Sequence, residues 1–301
     1  MSRPDRPVLT LLYAPADRPD RAAKALAGDA DVVILDLEDA VVPAYKVAAR
    51  QVVVELLGRS HGSGPHGHGN ERAPRPVQVR VNHPSTRWFH EDLEVLSGLP
   101  AVHVRLPKVE VPDQVHEVAA ALPGRPLHLL LESALGVERA FELASCHGQV
   151  ASVGLGEADL RSDLRVQDDG GLLWARSRLV NAVRAARLPP PAMSVYADTR
   201  DIDGLTASCR VGRSLGFFGR AALHPAQLGP IRDAFRPSAA EVERAQEVLT
   251  RVREAEQAGV GAFVLPDGTF LDVAMVEQAR AVLEAARLPD EPSTAGTPTS
   301  T

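Results

Sequence analysis

Two carboxylates in the middle of the chain each follow an apolar run. Glu132 closes Leu127-His128-Leu129-Leu130-Leu131, and Asp159 comes shortly after Ala151-Ser152-Val153-Gly154-Leu155-Gly156. An acid just past a buried β-strand of an α/β protein stands where such proteins bind ligands. Two hard oxygen ligands from neighbouring strand ends suit Mg²⁺, with Mn²⁺ as the other ion admitted, because such an ion keeps further positions for water and substrate oxygens. The competing reading makes each acid a helix N-cap or a surface loop residue.

Other apolar runs end in a consistent set of groups: Asp36-Leu37-Glu38-Asp39, Arg80-Val81-Asn82, Pro107-Lys108, Tyr196 with Asp198, and His224-Pro225. Acids with one arginine and one lysine suit a metal with a bound anionic substrate. They equally suit an internal salt-bridge network joining the acids at 36–39 to Arg80 and Lys108. Arg80 is the candidate substrate group, since a guanidinium can grip a carboxylate with two parallel hydrogen bonds and balance charge building on an oxygen. Its alternative role is a structural ion pair with one of those acids. Gly154 and Gly156 would let backbone approach a ligand closely, but their spacing is not a dinucleotide fingerprint. There is no G-x-S-x-G elbow. A Schiff base on Lys108 is disfavoured, because adjacent acids keep an ammonium protonated.

These groups need elements to hold them. Eight short β-rich runs are expected as strands: Val8–Ala14, Val32–Leu37, Val77–Asn82, Val102–Lys108, Leu127–Ser133, Ala151–Gly156, Ala192–Asp198 and Arg220–His224. They alternate with helical patterns at Arg18–Ala27, Tyr45–Leu57, Arg87–Leu96, Gln114–Leu122, Val137–Cys146, Leu172–Ala186, Asp203–Leu215 and Ala226–Ala234. Alternation of this kind reads as repeated βα units, and eight of them fit a closed (β/α)₈ TIM barrel, with a doubly wound open sheet as the other arrangement.

The barrel is expected over residues 1–235, interrupted by a flexible loop at 58–76 that carries His61, His66 and His68 without any apolar period. A helical extension at 236–288 follows, with helices Ala239–Ala258 and Val273–Ala286 and a capping box at Ser238 and Glu241. The Pro/Ser/Thr-rich residues 289–301 are expected to be a disordered tail.

Composition agrees with a globular enzyme: 301 residues, 45% hydrophobic, 24% charged. A net charge of −6 argues against nucleic acid as a partner. Cys146 and Cys209 are too few and too far apart for a disulfide framework or a paired-cysteine metal site. Neither an apolar leader nor a membrane-spanning run is visible, so a cytoplasmic protein is expected.

Several motifs together resemble the citrate lyase β-subunit-like family, grouped with the malyl-CoA and citramalyl-CoA lyases and the wider HpcH/HpaI aldolases. They are Leu35-Asp36-Leu37-Glu38-Asp39-Ala40-Val41, Arg80-Val81-Asn82, Pro107-Lys108-Val109-Glu110, Leu131-Glu132-Ser133-Ala134-x-Gly136, Gly154-x-Gly156-x-x-Asp159-Leu160 and Gly216-Phe217-x-Gly219-Arg220-x-x-Leu223-His224-Pro225-x-Gln227. The resemblance implies a barrel assembled as a homotrimer or hexamer, with Mg²⁺ on Glu132 and Asp159. It implies that Arg80 grips the oxo acid, and that Asp272 from a neighbouring subunit completes the site. Arg80 and Asp272, with Glu38 and Asp39, are the catalytic candidates. Arg80, Glu132, Gly156, Glu157 and Ala158 are the substrate-binding ones, and Arg18 and Lys24 match basic positions near coenzyme A phosphates.

The first loop departs from the family, reading Tyr13-Ala14-Pro15-Ala16 with Asp20 where a basic residue is common, and Arg220 replaces a more usual lysine. The implied activity is carbon–carbon cleavage of a carboxylated 3-hydroxyacyl-CoA (malyl-, citramalyl- or citryl-CoA-like) into an acyl-CoA and an oxo acid. Condensation or thioester hydrolysis could use the same apparatus. A metal-dependent pyruvate aldolase acting on free acids and a non-catalytic barrel subunit of a larger complex are the alternatives.

Overall fold

The computed structural model describes residues 8–58, 75–99, 102–258, 263–264, 270–271 and 273–286. These fall into two compact units, Val8–Phe235 and a second one to which the residues from Arg236 onward belong.

The first unit is built on seven strands: β1 (Thr10–Pro15), β2 (Val32–Asp36), β3 (Val77–Arg80), β4 (Val102–Leu106), β5 (Leu127–Leu131), β6 (Val150–Leu155) and β7 (Arg220–Ala222). Their order in the sheet is β6-β5-β4-β3-β2-β1-β7, and every pair is parallel. All five residues of β2 and of β5 are buried, as in strands covered on both faces. The sheet is strongly curled. One ammonium, that of Lys108 after β4, lies 2.6 Å from Glu38 after β2 and 3.3 Å from Asp159 after β6. In a flat sheet, strands four places apart would be separated by roughly 19 Å.

The helices α1 (Pro19–Ala27), α2 (Lys46–Gly58), α3 (Phe89–Ser97), α4 (Pro112–Ala121), α5 (Ala134–Glu138), α6 (Ala140–Ser145), α7 (Glu157–Leu164), α8 (Leu173–Ala185), α9 (Ile202–Ser214) and α10 (Leu228–Phe235) follow in turn. The single helix expected at Val137–Cys146 is two short ones, and α7 was not anticipated.

The strand expected at Ala192–Asp198 does not form. Met193 alone bridges to Arg220, through Met193 N–H to Gly219 O at 2.9 Å and Ala221 N–H to Met193 O at 3.0 Å. Toward β6, Ser194 Oγ accepts from the Glu157 N–H at 3.2 Å in place of a backbone ladder. Three prolines, Pro189, Pro190 and Pro191, precede the segment; they carry no N–H and hold the approach extended, so little of it can join a ladder. The described sheet therefore has seven strands with a gap between β6 and β7, and the expected closed eight-stranded barrel is reduced to that.

Register places Asp36 beside Arg80, Arg80 beside Arg105, Arg105 beside His128 and His128 beside Ser152. Register partners in a parallel sheet share a face, so one face carries a polar row across five strands. In the second unit, α11 (Ala239–Ala258) packs on α12 (Val273–Ala286) through Ala245, Val248 and Ala279, with Leu249, Val252, Met275, Val282 and Leu283 around them. Ser238 and Glu241 form the expected capping box: Glu241 N–H donates to Ser238 Oγ at 3.3 Å, and Glu241 Oε2 accepts from Ser238 N–H at 2.8 Å. β8 (Phe263–Val264) and β9 (Phe270–Leu271) form a two-residue antiparallel pair. Among the described residues no helix is long and apolar enough to cross a membrane. The loop histidines His61, His66 and His68, Asp272 and the tail lie outside the described residues.

Gly219 marks where β7 returns to β1. Its φ is +89°, and a Cβ there would come within 2.6 Å of Leu9 O and 2.7 Å of Val8 O. Gly219→Ala should therefore destabilise the first unit by at least about 1 kcal/mol. Urea unfolding checks this, and an unchanged midpoint would mean that the β7–β1 junction yields freely.

Candidate active site

The site begins with the carboxylate of Asp36 at the end of β2. Its Oδ1 accepts from the Glu38 N–H at 2.9 Å and its Oδ2 from the Ala40 N–H at 3.2 Å, which shapes the loop after the strand. The same carboxylate takes Arg80 Nε at 2.8 Å and Nη2 at 2.6 Å. The two-pronged grip expected of Arg80 is thus made with Asp36, its register partner on the next strand. Only Nη1 faces onward, to Glu38 Oε2 at 2.9 Å. Burial opposes the charge on Arg80, but Asp36 and Glu38 hold its pKa well above the ordinary value. Its guanidinium also lies over the Tyr13 ring, 5.2 Å from the centroid.

Three supporting residues, Lys46, Arg50 and Asp92, escaped the sequence reading. Lys46 is buried, and its three N–H donors all find acceptors: Leu37 O at 2.6 Å, Glu38 O at 2.7 Å and Asn82 Oδ1 at 2.6 Å. Asn82 is held in turn by Asp92, which accepts from its backbone N–H at 2.8 Å and its side-chain amide at 2.6 Å, while Arg50 donates to Asp92 at 3.0 Å. The available signal was Lys46 and Arg50 lying four residues apart on the buried face of α2, in line with Ala49 and Val53.

Lys108 joins the two halves of the site. Its backbone is left-handed, with φ +52°, a conformation uncommon outside glycine. From there Nζ reaches Glu38 at 2.6 Å, Asp39 at 3.3 Å and Asp159 at 3.3 Å. Burial alone would lower its pKa, but the bond to Glu38 and the charges of Glu38, Asp39 and Glu132 raise it, so the amine stays protonated. Glu38 itself is pushed up by burial, against Arg80 and Lys108.

Glu132 and Asp159 share a hydrogen bond, which requires a proton on one of them. Burial, that bond and the nearby Glu38 push Glu132 up to about 8, against Arg80 and Lys108. For Asp159 burial works upward, but the bond from Glu132 and the charge of Lys108 outweigh it and hold the group below its usual value. Gly156 makes the space: a Cβ there would lie 2.5 Å from Glu132 Cγ, Cδ and Oε1. Two carboxylates brought together over a single proton, in a cradle kept open by glycine, form a donor set that fits Mg²⁺. Among the described residues no cluster of three or more His, Cys, Asp or Glu could hold a metal, so the other ligands of such an ion would be water and substrate oxygens.

The remaining expected residues separate. Glu157 turns its carboxylate away, into a buried two-pronged pair with Arg176 Nε and Nη2, each at 2.7 Å, so it does not offer that carboxylate to a substrate. The reason is helical phase: Glu157 and Asp159 are two residues apart on α7 and point about 200° from each other. Ala158, between them, is exposed in the first turn, where backbone N–H groups lack helical acceptors. Arg18, at the start of α1, and Lys24, in its last turn, are both exposed. Tyr196 donates to Asp201 at 2.6 Å, Asp198 accepts from the Arg200 N–H at 2.9 Å, and His224 accepts from the Ala226 N–H at 3.1 Å, all local contacts.

A parallel α/β sheet with acids, one arginine and one lysine gathered at its strand ends defines a metal-compatible carboxylate site. The family model of the HpcH/HpaI aldolase/citrate lyase family matches residues 9–225, and the chain belongs to that family. It is 33% identical to a (3S)-malyl-CoA thioesterase of Cereibacter sphaeroides, over 95% of this chain and 97% of that protein. It is 29% identical to the citrate lyase subunit beta of Leuconostoc mesenteroides subsp. cremoris, over 92% of each. Among solved structures, the protein CitE from Mycobacterium tuberculosis, in complex with magnesium, acetoacetate and coenzyme A, superposes with a TM-score of 0.74 at 32% identity, covering 93% of this chain and 98% of that one.

Gly156→Ala should push the Glu132 carboxylate out of place and weaken Mg²⁺ binding at least about tenfold with the fold retained, since an overlap of this size forces side chains off their rotamers. Calorimetry checks it, and unaltered affinity would separate Glu132 from the metal. Mg²⁺ affinity should also rise with pH and level off above about 8, because the ion must displace the proton that Glu132 holds below that value. Titrations in two buffers of different ionisation enthalpy should show proton release at pH 7 and none at pH 9.

Proposed function

We propose that this chain is a cytoplasmic, Mg²⁺-dependent carbon–carbon lyase. It cleaves a 3-hydroxyacyl-CoA bearing a free carboxylate into an acyl-CoA and a 2-oxo acid. The observation that carries the reading is the Glu132–Asp159 pair facing Lys108 and the Arg80–Glu38 contact. Bound between Glu132 and Asp159, Mg²⁺ would act as a Lewis acid toward the carboxylate and hydroxyl oxygens of the substrate. Arg80, kept protonated by Asp36, supplies fixed positive charge beside them. The first-turn N–H groups of α7 at Ala158 and Asp159 suit the carboxylate of the oxo acid. Arg18 and Lys24 present positive charge to the coenzyme A phosphates. When the carbon–carbon bond breaks, the substrate hydroxyl gives its proton to solvent and its O–H electron pair completes the new carbonyl, while the electron pair of the broken bond passes to the thioester fragment as an enolate and Asp272 of a neighbouring subunit returns a proton to that carbon. In the condensing direction the same group removes it.

In this reading the curled sheet belongs to a (β/α)₈ barrel in which Ala192–Asp198, the seventh of the eight units in chain order, stands in the gap between β6 and β7 without a full backbone ladder, and the protein works as a homotrimer or hexamer. Thioester hydrolysis is the second reading, favoured by the similarity to a thioesterase. The test is a panel of malyl-, citramalyl- and citryl-CoA with Mg²⁺, following free thiol and oxo acid together. Oxo acid without thiol is expected; thiol alone would establish hydrolysis instead, and neither product would remove the catalytic reading.

The role of Asp272 has its own check. Asp272→Ala and Glu132→Ala proteins, each inactive, should regain part of the activity when mixed under subunit exchange, since some mixed sites hold both groups. No recovery, with exchange confirmed by mass, would take Asp272 out of a shared site.

A further inference from the structure

Arg105 is a buried cation for which the site described above has no use. It lies on β4 with 7% of its surface exposed, and its register partner is Arg80, so both project from one face. Its Nε donates to Gln78 Oε1 at 2.8 Å. Its guanidinium stands 6.0 Å from the centroid of the Tyr13 ring, the same ring that carries Arg80.

Other buried arginines are accounted for. Arg50, Arg80 and Arg176 each hold a carboxylate, and Arg220 donates to Ser194 O at 2.9 Å and Ser208 Oγ at 3.0 Å. Among the described residues no carboxylate comes within ion-pairing distance of Arg105, and its two terminal nitrogens make no hydrogen bond. Neither nitrogen is fully enclosed, so both border space that a ligand atom can enter.

A buried guanidinium without an anion is unfavourable, and an anionic ligand group offsets that cost. Its depth says which part of a ligand. Gln78 precedes Arg80 by two residues on the same strand, so the Arg105 contact lies roughly 7 Å of strand below Arg80, away from the strand ends. The metal-compatible acids hold the upper end. A molecule whose near end lies at Glu132 and Asp159 would present its far end to Arg105. Two free parallel N–H donors match a planar carboxylate, which also brings less negative charge past the acids than a phosphate would.

We propose that Arg105 binds a second carboxylate on the oxo-acid portion of the substrate, and so selects short dicarboxylic 2-oxo acids over monocarboxylic ones. This rests on the lyase reading above, in which an oxo acid occupies the site.

The test is calorimetry on the full chain with Mg²⁺, using two length-matched pairs: oxaloacetate against 2-oxobutyrate, and 2-oxoglutarate against 2-oxopentanoate, with pyruvate as the common reference. The wild type should bind at least one dicarboxylic acid roughly ten- to a hundredfold more tightly than its monocarboxylic partner, as expected for a charge-assisted hydrogen-bonded pair. Arg105→Met should erase the preference and leave pyruvate affinity unchanged, whereas Arg105→Lys should retain part of it. Pyruvate binding without any dicarboxylic preference in the wild type would overturn the role of Arg105 and leave the lyase reading intact. A preference that survives Arg105→Met would do the same. Absence of any oxo-acid binding would overturn both. Should the methionine variant fail to fold, the wild-type comparison and the lysine variant still decide.

Discussion

Too many carboxylates for the cations among them is the constraint around which this molecule is arranged. Asp36, Glu38, Asp39 and Asp159 ion-pair with Arg80 or Lys108, and Glu132 feels the charge of both. A group of like charges in a half-buried place has few ways to persist. One acid keeps its proton, and Glu132 does so at neutral pH. The cations are held fully charged, which is the state of Arg80 and Lys108. The third way is a further cation, and a divalent ion at Glu132 and Asp159 would replace the proton that they share. The left-handed backbone at Lys108 and the missing side chain at Gly156 are local concessions to this crowd: one aims the ammonium, the other clears space for a carboxylate.

The acids stay where they are because the loop beneath them is tied from the protein side. Lys46 binds two carbonyls of the loop after β2 and the amide of Asn82, while Asn82 is fixed by Asp92 and Asp92 by Arg50. Burial depresses the Lys46 pKa, yet the carboxylates around it pull the other way, and the ammonium has an acceptor for every proton. This chain of contacts runs from helix α2 through the β3 strand end to helix α3. The site therefore rests on packed helices rather than on its own loops, which suits groups that must hold a small ion in place.

Curling of the sheet gives the same face a second use. Arg105, His128 and Ser152 continue the polar row of Asp36 and Arg80 toward β6, and His128 is linked to His103 at 3.0 Å and to Ser152 at 2.7 Å. Burial and the charge of Arg105 keep His128 neutral, with its pKa well below the ordinary histidine value. The interior beneath the acids is thus polar, with Arg105 as its only unpaired charge among the described residues. An interior of that kind admits the polar end of a substrate more readily than an alkyl one.

The sequence alone determined the alternation of strands and helices, because apolar runs with two different periods survive any arrangement in space. It determined that acids and basic groups would gather at the strand ends, and it placed Glu132, Asp159, Arg80 and Lys108 there, since position after a buried strand is a linear property. It could not show that Arg80 would close on Asp36, because that depends on the register between β2 and β3. It could not turn Glu157 away from Asp159 without the helix α7, whose phase sends their side chains to opposite sides. It also counted Ala192–Asp198 as a strand, because the apolar pattern is present while the ladder partners are not. Lys46, Asp92 and Arg105 read as ordinary charged residues until the helices docked and the sheet curled. Burial gives such groups their meaning, and burial is decided only when segments distant in the chain come together.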